Sequence, residues 1–413
     1  MHNKVVKLAI AAVVALLLAV WAGVGRQPQE SMPELTALAP GLRDGVNDIT
    51  RIKLTGAASA PIVTLEKGES GWKVTEKGGY PADIVKVREF LLKLADATLI
   101  EQKTADPELH AKLGVEDIGK ADAKGALLEI EGLKEPVKLI IGNYNGQGGD
   151  STFVRRADDN QSWLAKGNFT VDKTSANWLR RDLVDVATNR IEEVAITADG
   201  KTLRVFKSKP DDANYTVADI PRGREVSSEF VANGLASVLS GLRFDDVMPA
   251  GSAEPGQAKV FDVRYRFFDG LEVRAEAWEV DGKDYARFSA LVDEARAATA
   301  VEAEQAKARS QYETAKAAAE AEAKATADAA KPTEGDTATA AAANAATPAA
   351  APAVPEAPPA VSDPAKDRDE RLAKLRTEAE EMNKTFEGWT FVIPSFKYAN
   401  MNKTMDDMLK PKS

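Results

Sequence analysis

Apolar positions form short alternating runs broken by one helical spacing, and this order occurs twice along the chain. Ile49, Ile52 and Leu54 open a strand-like run, and Val63 and Leu65 lead to a second that reaches Trp72-Lys73-Val74. Tyr80-Pro81-Ala82-Asp83 follows, with a proline suited to a helix's first turn. Ile84, Val87, Leu91 and Leu94 then recur at spacings of three and four, which predicts one buried helical face. Leu127 to Ile130, Val137 to Ile141, Phe153-Val154-Arg155 and Trp163-Leu164 read as further strands.

The order returns after residue 187. Ile191, Val194 and Ile196 repeat Ile49, Ile52 and Leu54 at a constant spacing of 142 residues. Leu203, Val205 and Phe206 lead to Tyr215-Thr216-Val217, the counterpart of Trp72-Lys73-Val74. Val226, Phe230, Val238 and Leu242 predict the second helix. Phe261 to Phe268 and Leu271 to Val280 follow as strands, joined by the hairpin signal Asp269-Gly270. The strand and closing helix that this half lacks reappear at the C-terminus. Trp389 to Ile393 resembles Trp163-Leu164, and Lys403-Thr404-Met405, running to Leu409, resembles Lys173-Thr174-Ser175, running to Leu179. The fold class expected is α+β, with two similar β-rich repeats that each carry packed helices: residues 46–186, and residues 187–290 completed by 387–410.

Between the pieces of the second repeat, residues 291–386 form an insertion. Alanine supplies 30 of the 70 residues from 291 to 360, too small a side chain to fill a core. Residues 291–330 are rich in helix formers, Lys331 to Lys366 holds seven prolines and reads as a disordered linker, and Asp367 to Asn383 reads as a second helix. Leu372, Leu375 and Ala379 give that helix a thin apolar stripe. The two helices either pair as a coiled-coil-like arm or are solvated separately, and in both cases the insertion is expected to be dispensable for folding.

One uncharged apolar run stands apart. Leu8 to Gly25 spans 18 residues, roughly 27 Å as a helix, close to the hydrocarbon thickness of a bilayer. Lys4 and Lys7 precede it and Trp21 lies near its far end, which predicts a transmembrane anchor with residues 1–7 cytoplasmic. The alternative is a signal peptide cleaved near Val20-Trp21-Ala22. Either way the body is exported: the expected location is the bacterial inner membrane, single-pass, with the C-terminal body periplasmic. Residues 26–45, with Pro28, Pro33 and Pro40, read as a tether.

Composition narrows the chemistry. The 413 residues carry a formal net charge of −10, which argues against a nucleic-acid partner. The absence of cysteine removes disulfides, thiolate metal sites and thiol catalysis, and two histidines leave little for imidazole chemistry. Gly142 to Gly149 is a glycine-rich loop without the Lys-Ser/Thr of a phosphate loop and reads as a turn around Asn145-Gly146. His110 reads as a surface residue. Asp158-Asp159, Asp211-Asp212 and Asp245-Asp246 read as solvated turns, and Arg155-Arg156 and Arg180-Arg181 are basic doublets that an exposed salt-bridged face explains as well as a ligand does. No catalytic, cofactor-binding or metal-binding residue is assigned. Trp72, Tyr80, Trp163 and Trp178 are the aromatics that could form a platform for a glycan or lipid. A carboxylate hydrolase is the remaining option.

Trp72-x-Val74, Tyr80-Pro81-Ala82-Asp83, Leu113-Gly114-Val115, Ile141-Gly142 and Phe153-Val154-Arg155, behind an N-terminal apolar run, together resemble the family called domain of unknown function 4340. The resemblance covers about residues 46–290, with an echo at 387–410. It implies a single-pass envelope protein of the kind often encoded beside an ABC-type export permease and a gliding-motility-type auxiliary protein. An accessory, non-enzymatic role with transporter subunits as partners follows from it, and no catalytic residue carries over. The alanine-rich insertion departs from the family pattern.

Overall fold

The computed structural model describes residues 36–147, 149–329 and 356–411. The expected anchor, residues 8–25, the segment expected to be cytoplasmic, residues 1–7, and most of the proline-rich linker lie outside them. Among the described residues no helix is long and apolar enough to cross a membrane. The chain is α+β, built on large antiparallel sheets, and divides into two units, one ending at Arg180 and the other beginning at Arg181. That break falls six residues before the expected one, because Asp182–Val184 pairs with Leu242–Arg243 of the second unit.

Unit 1 contains β1 (Arg51–Thr55), β2 (Pro61–Gly68), β3 (Gly71–Val74), β4 (Tyr80–Pro81), β5 (Leu99–Gln102), β6 (Ala126–Glu131), β7 (Val137–Asn145), β8 (Ser151–Arg156) and β9 (Ser162–Lys166). They form one sheet in the order β4-β3-β2-β1-β6-β7-β8-β9-β5. Its helices are α1 (Leu42–Gly45), α2 (Ile84–Asp96) and α3 (His110–Leu113). Asp83 starts α2 by accepting from the N–H groups of Val85 and Lys86, satisfying two of the helix's free donors. Val87, Phe90, Leu91 and Leu94 form its buried face, whereas Ile84, expected there, is 47% exposed. The last ten residues of the expected tether also belong to this unit. Leu38 and Leu42 are buried, and the Leu38 N–H donates to the Ala97 carbonyl at 2.9 Å.

Unit 2 adds β10 (Asp182–Val184), β11 (Ile191–Ala198), β12 (Lys201–Phe206), β13 (Thr216–Val217), β14 (Leu242–Arg243), β15 (Asp246–Pro249), β16 (Phe261–Phe267), β17 (Leu271–Val280), β18 (Lys283–Val292) and β19 (Trp389–Val392). Its main sheet runs β13-β12-β11-β16-β17-β18-β19-β15. Omitting the short edge strand β4, this order follows unit 1 strand for strand. The C-terminal strand β19 lies between β18 and β15, as β9 lies between β8 and β5. The closures also correspond. The Asp83 N–H donates to the Trp178 carbonyl and the Arg180 N–H to that of Pro81; the Ser227 N–H donates to the Met408 carbonyl and the Lys410 N–H to that of Glu225.

The helices of unit 2 are α4 (Asn233–Ala236), α5 (Glu294–Ala329), α6 (Pro359–Ser362), α7 (Pro364–Phe386), α8 (Ser395–Met401) and α9 (Met405–Met408). The helix expected from Val226 to Leu242 shrinks to α4 and one 3₁₀ turn. Asn233 and Gly234 are weak helix formers. The Asn233 side chain is engaged elsewhere, accepting from the Tyr215 N–H and donating to Asn214. Phe230 is left 59% exposed.

The insertion is not a detached arm. Helices α5 and α7 pack together, and α7 lies against β18. Phe386 is buried and its ring sits 5.5 Å from that of Phe288 on β18. Asn383 accepts from the Ala290 N–H and donates to the Ala290 carbonyl, acting as one extra rung on the strand. At the other end Gly270, in the β16–β17 turn, touches the start of α5 so closely that a Cβ there would lie 2.5 Å from the Ala297 nitrogen. Residues 356–366, read as linker, include α6 and the first turn of α7. Prolines at the start of both helices explain why: proline suits the first turn that it cannot continue from behind.

The buried Tyr265 hydroxyl on β16 has no hydrogen-bond partner, and burial holds its ionisation above the ordinary tyrosine value. The folded state therefore keeps this proton at a pH where the unfolded chain releases it. The stability linked to it is complete below about pH 10 and is lost as pH rises further. Tyr265→Phe is expected to reduce the loss of stability between about pH 9 and 11 and to cost less than about 1 kcal/mol at pH 7, because no partner is orphaned. Denaturant titrations of both proteins across that range check it.

Candidate functional site

A cleft of unit 2 walled by α5 and α7 has a volume of about 630 Å³, within the range of ligand pockets. Helix α5 contributes Ala300, Val301 and Ala303, whose short side chains leave the space. Leu375 of α7, Phe268 of the β16–β17 turn and Pro210 of the loop after β12 supply the other apolar walls. Arg190 closes one end. It donates two hydrogen bonds to Glu378 and one to Asp269, and lies 5.3 Å from the Phe267 ring. The hydrogen bond with Glu378 raises the Arg190 pKa, against the opposing effect of burial. This arginine is thus a fixed tie between α7 and the sheet. At the rim, Arg371 pairs with Asp367, while Lys374 and Glu304 take no ion pair or hydrogen bond among the described residues.

A second cleft, of about 440 Å³, lies in unit 1 between α2 and residues 168–172. Its floor holds Phe169 and Trp178, both nearly fully buried. Lys86 sits 4.8 Å from the Trp178 ring centre and pairs with Asp172 at 2.9 Å. Burial opposes ionisation of Asp172, but the hydrogen bonds from Lys86, the Thr174 N–H and Asn177 outweigh it and hold the carboxyl below its usual range. With the lysine over its ring, Trp178 offers no open face for stacking.

The four aromatics singled out as a platform do not converge. Tyr80 and Trp178 are buried, while Trp72 and Trp163 are half-buried. Trp72 lies on β3 and Trp163 on β9, six strand intervals apart in the sheet, about 29 Å at the usual spacing. Tyr215, the counterpart of Trp72, is buried, and its hydroxyl donates to the Thr188 and Ile191 carbonyls.

Other singled-out residues take structural places. His110 is 3% exposed rather than on the surface, with Nε2 2.9 Å from the Asn160 carbonyl oxygen. Arg155, read as exposed, is buried. It donates to the Val115 and Asp159 carbonyls at 2.8 Å and pairs with Asp117. Arg181 donates to the Phe244 carbonyl and pairs with Asp245. Asp159 and Asp212 accept backbone N–H groups in their own turns. Gly142 is more than a turn residue: a Cβ there would lie 2.5 Å from the Leu113 carbonyl oxygen. Leu113-Gly114-Val115, Ile141-Gly142 and Arg155 thus meet in one packed cluster. Among the described residues no group of three or more His, Asp or Glu is placed to hold a metal.

Residues 72–260 match the family model described as domain of unknown function (DUF4340). This segment belongs to the DUF4340 family. No curated protein and no solved structure matches the chain. The DUF4340 segment contains the Arg155 cluster and the Trp178 cleft, and from the larger cleft it contains Arg190 and Pro210. The helices that wall the larger cleft lie beyond its end. Sequence reasoning missed this cleft because it treated α5 and α7 as an arm; the signal available was the stripe Leu372, Leu375 and Ala379, which is buried.

Proposed function

We propose that the chain is a non-enzymatic, membrane-anchored envelope protein that acts as an accessory or scaffold of an ABC-type export complex. Its body is a duplicated α+β unit, the C-terminal strand completing the second copy across the insertion. The observation that carries this reading is the matching strand order and closure of the two units behind the apolar run Leu8 to Gly25. A tandem of non-identical sheet units suits partner recognition, since each copy can diverge in its exposed residues while keeping its core. One such surface is the outer side of α2, where Val85 is 71% and Leu92 48% exposed, seven residues apart on one helical face. The company that DUF4340 proteins keep with export permeases supports the choice of partner.

Two measurements test the proposal. Protease added to spheroplasts should digest everything beyond Arg26, and a pull-down from solubilised membranes should recover an ABC-type permease. A mature N-terminus near Gly23 contradicts the anchor, and repeated recovery without any membrane partner contradicts the accessory role.

A further inference from the structure

We propose that the cleft between α5, α7 and the β16–β17 turn binds one acyl chain of a zwitterionic phospholipid, with its headgroup between Lys374 and Glu304. This site is separate from the exporter role and stands or falls without it.

The walls decide the first half of the ligand. Ala300, Val301, Leu375 and Phe268 line the cleft, and its volume of about 630 Å³ is that of a ligand pocket rather than a packing defect. The charges decide the second half. Arg190 is committed to Glu378 and Asp269, and Arg371 to Asp367. What remains at the mouth is one ammonium, Lys374, and one carboxylate, Glu304, each without a partner among the described residues. Both side chains are exposed, so a purely apolar ligand would leave them in water and gain nothing from either. An anionic headgroup would satisfy Lys374 but meet Glu304, with Asp269 and Glu378 behind it. A phosphate paired with an ammonium satisfies both, phosphate toward Lys374 and ammonium toward Glu304.

The test uses the full chain mixed with vesicles of phosphatidylethanolamine and phosphatidylglycerol. One of the two lipids at a time carries a diazirine on its acyl chain, and cross-linked peptides are mapped by mass spectrometry. The zwitterionic probe should label residues 300–304 and 371–378, several-fold more than the anionic probe. Ala303→Trp, which fills the cleft from an exposed position, should cut that labelling at least about tenfold with an unchanged Tm. Lys374→Glu should reduce it by up to about fivefold, the upper end for one exposed ion pair. If Ala303→Trp lowers the Tm, Lys374→Glu carries the test alone. Equal labelling by the two probes overturns the headgroup assignment. Labelling absent from these peptides, or unchanged in the variants, overturns the site.

Discussion

Phe386→Ala is expected to destabilise unit 2 by about 3–5 kcal/mol, the range for removing a large buried aromatic. Phe386 is 2% exposed and packs on Phe288, which in turn faces Phe391 of the C-terminal strand. Losing the ring opens a cavity where α7, β18 and β19 meet. Joining Val292 to Glu387 through a short linker should cost more. It removes Phe386, Leu375, Ala379, Val301 and Ala297 from the core, the Asn383 rung on Ala290, and the Arg190–Glu378 tie. Loop-closure entropy does not offset this, because shortening a loop changes it only by fractions of a kcal/mol per halving. Denaturant titration of both variants checks the claim. A deletion variant that melts like the full chain would return the insertion to the status of a dispensable arm.

The second large effect separates Trp178 from Trp72. Trp178 is 1% exposed, its Nε1 donates to the Asp172 carbonyl at 3.0 Å, and its ring meets Phe90 edge to face at 5.5 Å. Its carbonyl also accepts from the Asp83 N–H just before α2. Trp178→Ala should cost about 3–5 kcal/mol, whereas Trp72→Ala, at a half-buried edge-side position, should cost only about 1 kcal/mol. Of the two rings, only that of Trp178 anchors the core. Equal losses from the two variants would contradict the burial assigned to them.

What the sequence disclosed depended on how far each pattern reached. The strand runs were legible because apolar alternation is local, and the 142-residue spacing then carried the first strands of unit 1 onto those of unit 2. The place of Trp389–Val392 was legible for the same reason: the second half lacked an element and the C-terminus held one of the right pattern. Burial within the runs was less legible. Trp72 and Tyr215 share a register, yet Tyr215 is covered and Trp72 is not, and alternation assigns a face without saying what lies over it. His110 and Arg155 looked like surface residues because their partners are backbone carbonyls from distant segments, which leave no mark in composition. The larger cleft was hidden most deeply. It depends on small alanines of α5 facing Leu375 of α7, and alanine content alone reads as lack of core rather than as space left for a ligand.

The exporter-accessory reading is tested most directly by photo-crosslinking in cells, with a photoreactive amino acid at Val85 or Leu92 on the exposed side of α2. The account predicts a covalent adduct with an integral subunit of an ABC-type exporter, absent when the photoreactive residue is moved to the buried position Leu94. Adducts only with soluble proteins, or none at either exposed position while the protein is folded and at its normal level, would contradict it.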